Sequence, residues 1–182
     1  MMRPLAALFI GVLGALAIVL PRTPGAWEHL RFRLGLLDVE AMQAEAVTTV
    51  KHFDTLYVRF FTSGGDLTGL SDFPAANLVK RRIVQDINAW TAQGGILSHD
   101  RMAFEFKSVD VLAPDRAVVV TEEIWQYLLR DIVTGSRTEN GKINAIRVRY
   151  ILRRHETRWR VEEFEVYGAN DDIPPLVYRW GG

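Results

Sequence analysis

The period of the apolar residues changes once along this chain, near residue 100, and that change limits the fold more than any other feature. From Asp38 onward, Val39, Met42, Ala46, Thr49, Phe53, Leu56 and Phe60 recur at three and four residues, the spacing of one helical face. Asp38 is suited to cap this helix, and "SGG" at 63–65 stops it. A second helix is expected from "SDFP", with Asp72 as cap and Pro74 in the first turn. Val79, Ile83, Ile87 and Trp90 form its buried face, and Gly94-Gly95 end it. Lys80, Arg81, Arg82 and Asp86 lie mostly elsewhere around that helix and read as a solvated face.

Beyond residue 100 the period is two. Met102, Phe104 and Phe106 share one face, "APDR" at 113–116 makes a turn, and "AVVVTEEIWQYLL" is a long strand whose imperfect alternation predicts a bend. Asn140-Gly141 marks the next turn. Ile146, Val148, Tyr150 and Leu152 then point inward, with Arg147, Arg149 and Arg153 outward. In "RWRVEEFEV", Trp159 and Val161 share one face while Phe164 and Val166 share the other, a phase slip that predicts a bulge near Glu162. Two helices on a curved four-stranded antiparallel meander make an α+β domain, expected over residues 38–167.

The start of the chain is of another kind. "PLAALFIGVLGALAIVL", residues 4–20, has no charged or polar side chain. As a helix it covers about 25 Å, slightly short of a hydrocarbon core of about 30 Å. Pro4 fits a first helical position and Pro21 ends the run. A secretory leader would share the basic start, but "VLPRTPGAW" lacks a small-x-small cleavage site, so residues 1–22 read as an uncleaved transmembrane signal anchor. Ala7, Gly11 and Ala15 form a small-residue stripe of the kind that lets membrane helices approach closely. Arg3 lies on one side of the run and Arg22, Arg31 and Arg33 on the other. Charge therefore leaves the orientation open, and the short N-terminal tail favours N-in. The expectation is a single-pass protein of the inner (cytoplasmic) membrane with its domain on the periplasmic side. Residues 23–37 read as a linker or a short helix in the headgroup region, with Thr23 as cap and Trp27, Leu30, Leu34 and Leu37 near one face.

Two amphipathic helices followed by a meander ending in "VRYILRRHETRWRVEEFEV" resemble the nuclear-transport-factor-2-like, cone-shaped α+β domain. The segments Trp125-Gln126-Tyr127 and Val148-Arg149-Tyr150 are similar to parts of the C-terminal domain of cyanobacterial and plastid division proteins. The order of elements also resembles the membrane-anchored assembly subunits of type IV secretion systems. Enzymes on this fold work inside the cone. The resemblance implies that any acid or base here would come from positions such as Asp54, Tyr57, Glu123, Tyr127 and Tyr150. Inward positions are otherwise Phe, Trp, Val and Ile, which predicts a packed interior and no catalysis.

Composition removes other chemistries. There is no cysteine, which excludes disulfides, thiolate zinc sites and cysteine nucleophiles. Formal charge is zero, against the basic excess of a nucleic-acid binder. His29, His52, His99 and His155 are scattered with no metal-ligand spacing, and no phosphate loop or nucleophile motif occurs. No cofactor or metal is expected. Arg147, Arg149 and Arg153 facing Glu162, Glu163 and Glu165 read as cross-strand pairs worth about 0.2–1 kcal/mol each, or as a face for a partner. The extended tail, 168–182, carries Pro174-Pro175 and then Val177, Tyr178 and Trp180, apolar groups that need cover from the domain or a partner.

The expected function is a non-catalytic, membrane-anchored accessory subunit that stabilises a larger complex for secretion, division or energy conversion. Its partners would be other subunits or a second copy, with lipid around the first helix. Contacts are expected at Ala7, Gly11 and Ala15 in the membrane and at Trp27, Arg147, Arg149, Arg153, Tyr178 and Trp180 outside it. The alternative is a membrane-tethered binder of small apolar ligands, or an isomerase- or dehydratase-like enzyme, with a cavity behind Phe104, Trp125 and Tyr150.

Overall fold

The computed structural model describes residues 25–137 and 141–176. The expected anchor with Ala7, Gly11 and Ala15, the cap at Thr23, Asn140 of the predicted turn, and Tyr178 and Trp180 lie outside the described residues. Among the described residues no helix is long and apolar enough to cross a membrane. The chain divides into two units, Met1–Glu40 and Ala41–Gly182.

The first unit contains α1, Ala26–Arg33, entered through Gly25 in the left-handed region at φ 82°. None of its residues is buried, and Trp27 is 55 % exposed. Its apolar residues do not form one covered face.

The second unit is built from α2 (Val39–Thr62), all but its first two residues, α3 (Asn77–Ala92), β1 (Gly95–Ala113), β2 (Arg116–Asp131), β3 (Lys142–His155) and β4 (Arg158–Gly168). The strands form one antiparallel sheet in the order β1-β2-β3-β4. This is the expected meander, and β4 carries the expected bulge. Ile151 pairs with Glu163 and Leu152 with Val161, which leaves Glu162 unopposed.

α2 buries Met42, Ala46, Val50, Phe53, Leu56, Phe60 and Phe61, a stripe at helical spacing. Val50, not Thr49, lies in the stripe; the Thr49 hydroxyl donates back to the Glu45 carbonyl. The helix ends at Thr62 just before Gly64, whose φ is 68° and where a Cβ would come within 2.6 Å of the Ile96 side chain. Phe53 lies at the centre of the core. Its ring stacks on Phe73 at 4.7 Å and meets Tyr150 and Phe164 edge-on at 5.7 and 5.6 Å.

Three expectations are corrected. The helix expected from Asp72 begins only at Asn77, because the residues before it pair with the sheet. Val161 donates its N–H to the Pro74 carbonyl at 2.8 Å and accepts the Ala76 N–H at 2.9 Å. This strip of tertiary pairing outcompetes the cap signal of "SDFP". The bend expected in β2 is carried by β1, whose register shifts at Arg101/Ala103, Phe106/Ser108 and Val111/Ala113, while β2 pairs with β3 without interruption. Met102 sits at the first shift and is 59 % exposed, whereas Phe104 and Phe106, expected on the same face, are half-buried. Finally, β1 starts at Gly95, so "GILSHD" belongs to the sheet and not to a helix end or loop.

Candidate functional site

The early start of β1 decides what lies inside the domain. It turns His99 inward, where the ring is 5 % exposed. Phe61 stacks on it at 4.4 Å, and Tyr127 meets it edge-on at 4.9 Å. Neither ring nitrogen has a hydrogen-bond partner among the described residues. Burial pushes the ring pKa down to about 4, against a smaller opposing pull from Asp100. At neutral pH the imidazole is therefore uncharged.

Beside it is a cavity of about 50 Å³ lined by Asp54 and Tyr57 of α2, His99 of β1, Glu123 and Tyr127 of β2 and Tyr150 of β3, with aromatic and aliphatic walls. The five candidates implied by the family resemblance, Asp54, Tyr57, Glu123, Tyr127 and Tyr150, thus converge on one place. Trp125 lines it as well, whereas Phe104 does not. The interior is consequently less apolar than the inward Phe, Trp and Val positions imply.

Glu123 is the hub of this cluster. Its carboxyl group accepts hydrogen bonds from the Thr121 hydroxyl at 2.5 Å, the Trp125 indole N–H at 2.6 Å and the Tyr150 hydroxyl at 2.9 Å. The residue is 2 % exposed. Thr121, Glu123 and Trp125 are successive residues on the inner face of β2, so the strand's period of two by itself places both neighbours within reach of the carboxyl. Asp54, 1 % exposed, forms an ion pair with Arg101, whose guanidinium also lies over the Phe104 ring at 4.8 Å. Burial raises the Tyr57 and Tyr150 hydroxyls above the ordinary phenol range, and nearby Tyr127 and Glu123 respectively add to it. Both remain protonated donors at physiological pH. Asp54 and His99 also line an outer cleft of about 360 Å³ with Thr55, Val58, Asp100 and Arg101. They form the wall between cleft and cavity.

The cavity accommodates a few water molecules, each needing about 10–15 Å³ by this measure. Sites for drug-sized ligands measure about 300–1,000 Å³. Among the described residues no three His, Asp or Glu side chains converge as a metal cage would require.

The outer face of the sheet answers the charge pattern of β3 and β4. Arg149 pairs with Glu165 as expected, but it is buried, at 6 % exposure. Its guanidinium also donates to the Tyr167 hydroxyl at 2.9 Å and to the Pro174 carbonyl. Arg147 turns the other way, to Glu122 of β2 at 3.2 Å, and Glu122 also holds Lys107 at 3.0 Å. Arg153 lies 3.9 Å from Asp115, and Glu162 meets His155 at 3.1 Å. The pairing expected for Arg147 and Arg153 with β4 is thus replaced by pairing with β2 and the β1–β2 turn. The tail makes a turn at Gly168–Asp171, where the Gly168 N–H donates to the Asp171 carboxylate at 2.7 Å, and then crosses this face. Its described part docks on its own domain through Arg147 and Arg149.

No family model matches the chain, and no curated protein sequence does. Among solved structures, the intermembrane-space region of the chloroplast protein ARC6 superposes with a TM-score of 0.59 at 16 % identity. The match covers 73 % of this chain and 98 % of that one. A protein of unknown function from Prochlorococcus, described as NTF2-like, matches over 50 % of this chain and 63 % of its own at 13 % identity. Its TM-score of 0.35 carries no argument. The shared property is the fold: the second unit of this chain has the α+β architecture of the ARC6 region.

Proposed function

We propose that this chain is a non-catalytic accessory subunit, held in the inner membrane by residues 1–22 with its folded domain on the periplasmic side. It docks on a larger membrane complex, of secretion, division or energy conversion, and stabilises it. The observation that carries this reading is the fold shared with nearly the whole of a domain named for an intermembrane space, here following an uncharged N-terminal run. The interior supports it: Glu123 has its donors within the domain, Asp54 is paired with Arg101, and the cavity has the size of a few waters. Extraction of native membranes in mild detergent, followed by size separation and mass identification, tests the reading. Co-migration with other membrane subunits is expected. A lone monomer under every mild condition, or release of the intact chain by alkaline carbonate, contradicts it.

A second reading rests on His99. A buried imidazole with two unmet nitrogens beside a cavity is also what a small-ligand site requires. On that reading the outer cleft admits a small polar molecule once the Asp54–Arg101 pair opens. Nitrogen-15 spectra of the His99 ring, recorded with and without candidate small ligands, decide it. A ligand that shifts the ring in the wild type, and no longer binds His99→Phe, favours this reading over the first.

A further inference from the structure

A second depression, of about 900 Å³, lies among α2, the 71–77 segment and the β3–β4 turn. Its charge is unbalanced. Lys80, Arg158 and Arg160 line it against Asp72 and Glu45, and Glu45 is already paired with Arg154 at 3.0 Å. Arg158 and Arg160 are exposed and make no ion pair among the described residues. The Lys80 ammonium donates to the Leu70 and Ser71 carbonyls, both at 2.9 Å, and keeps a further N–H. Burial, and then the charge of Arg160, hold its pKa below the ordinary lysine value, against an opposing pull from Asp72.

The groove also holds unmet hydrogen-bonding groups. Trp159 lines it and is 3 % exposed, and its indole N–H has no acceptor among the described residues. The backbone adds more. β4 is an edge strand among the described residues, where the 74–76 segment pairs with that edge at Val161. Outward-facing backbone groups recur every second residue of an antiparallel strand. Trp159 is two residues away in unbroken register with β3, so its N–H and C=O face the same edge. No backbone partner among the described residues meets them there. Open edge groups are templates for an added strand.

We propose that this groove binds an extended acidic peptide segment of a partner protein, which adds to β4 at Trp159 and presents carboxylates to Lys80, Arg158 and Arg160. The inference rests on the docking reading above and names its surface and the chemistry of its partner. A strand meets the backbone groups at Trp159, and an acidic one neutralises the surplus of positive charge that Lys80, Arg158 and Arg160 leave among the described residues. A neutral strand would meet only the first need.

The test uses the full chain in detergent and labelled peptides of about ten residues with equal Val and Ser content, bearing several glutamates, several lysines or neither. The glutamate peptide is expected to bind at least about tenfold tighter than the lysine peptide, as charge complementarity across an interface requires. Arg158→Glu/Arg160→Glu is expected to reverse that order. Both side chains are exposed and make no ion pair among the described residues, so circular dichroism should be unchanged. The Trp159 indole resonance should shift on binding. Equal affinity for all three peptides overturns the proposal, as does a glutamate preference that survives the double reversal, or tight binding with an unmoved Trp159 resonance. So does retention of a DNA duplex or of anionic vesicles in place of the peptide. If the peptides fail while native complexes still assemble with the double variant, the groove is refuted and the docking reading stands.

Discussion

The two faces of the sheet bury ionisable side chains in opposite ways. On the inner face Glu123 is enclosed by neutral donors, two of them its neighbours on the same strand. On the outer face Arg149 is covered by an opposite charge, a phenol and the carbonyl of a tail that comes from the end of the chain. The inner arrangement is rigid, because its parts are fixed by the period of β2 and by the core. The outer one depends on a segment held, among the described residues, by Arg147, Arg149 and its own turn at Gly168–Asp171. A buried polar group is cheap while its partners stay and costly when one leaves. The inner cluster should therefore behave as part of the folding core, and the outer one as a local latch.

The largest effect tests the core half of this comparison. Glu123→Ala leaves the Thr121 hydroxyl, the Trp125 indole and the Tyr150 hydroxyl without their acceptor and opens a void. We expect a loss of about 3–5 kcal/mol in denaturant unfolding, with full cooperativity retained. A loss below about 1 kcal/mol would mean that water replaces the carboxyl easily, and that the interior is wetter than the core picture holds.

His99 provides the next. Its folded pKa of about 4 lies below the ordinary histidine value of 6.5, so between these limits the unfolded chain binds more protons than the folded one. Stability should therefore be complete above about pH 6.5 and fall as pH drops toward 4, by up to about 3 kcal/mol. The titratable groups around the ring are Asp54 and Tyr57 from α2, Asp100 and Arg101 on its own strand, Glu123 and Tyr127 from β2, and Tyr150 from β3. Carboxylates elsewhere add their own slope. The difference between wild type and His99→Phe isolates the histidine, and that difference should vanish above neutrality apart from a constant offset.

Arg149→Met probes the latch. It should cost about 1–3 kcal/mol, because Glu165 is only partly buried and can turn to water. The more telling readout is hydrogen exchange: protection in the 171–176 segment should fall while the β2 core remains unchanged. Equal loss of protection in both places would erase the distinction between latch and core. The smallest effect is expected at Glu122, which holds Lys107 and Arg147 on exposed surface. Glu122→Gln should lower the melting midpoint slightly at low salt and not at all in molar salt.

Much of the architecture was legible in the residues, and the reason is local. The change of period near residue 100, the stop at "SGG" and the slip around Glu162 are all written in side-chain order, and each corresponds to an observed helix end, strand or bulge. The candidate site was legible in part. Glu123, Tyr127 and Tyr150 occupy strand positions that a period of two assigns to an inner face, and Asp54 and Tyr57 belong to α2. His99 was missed because "GILSHD" has no alternation of period two, with Ile96-Leu97 adjacent, and begins at the second of two glycines. Its strand state comes from pairing with Asp131 to Gln126 of β2, not from alternation of its own.

Sequence alone determined the order of elements, the absence of thiol chemistry and most of the buried stripes of α2 and α3, since these depend on neighbours within a few residues. Tertiary structure alone decided that "FPAA" forms an edge strip instead of a helix start, and that Arg147 pairs with β2 while Arg149 is shut beneath the tail. It also decided that the five inward polar residues and His99 share one cavity. These outcomes turn on which distant backbone and side-chain groups arrive within hydrogen-bonding distance. Pairing across 25 residues or more is selected by the packing of the whole sheet, and local preference carries no record of it.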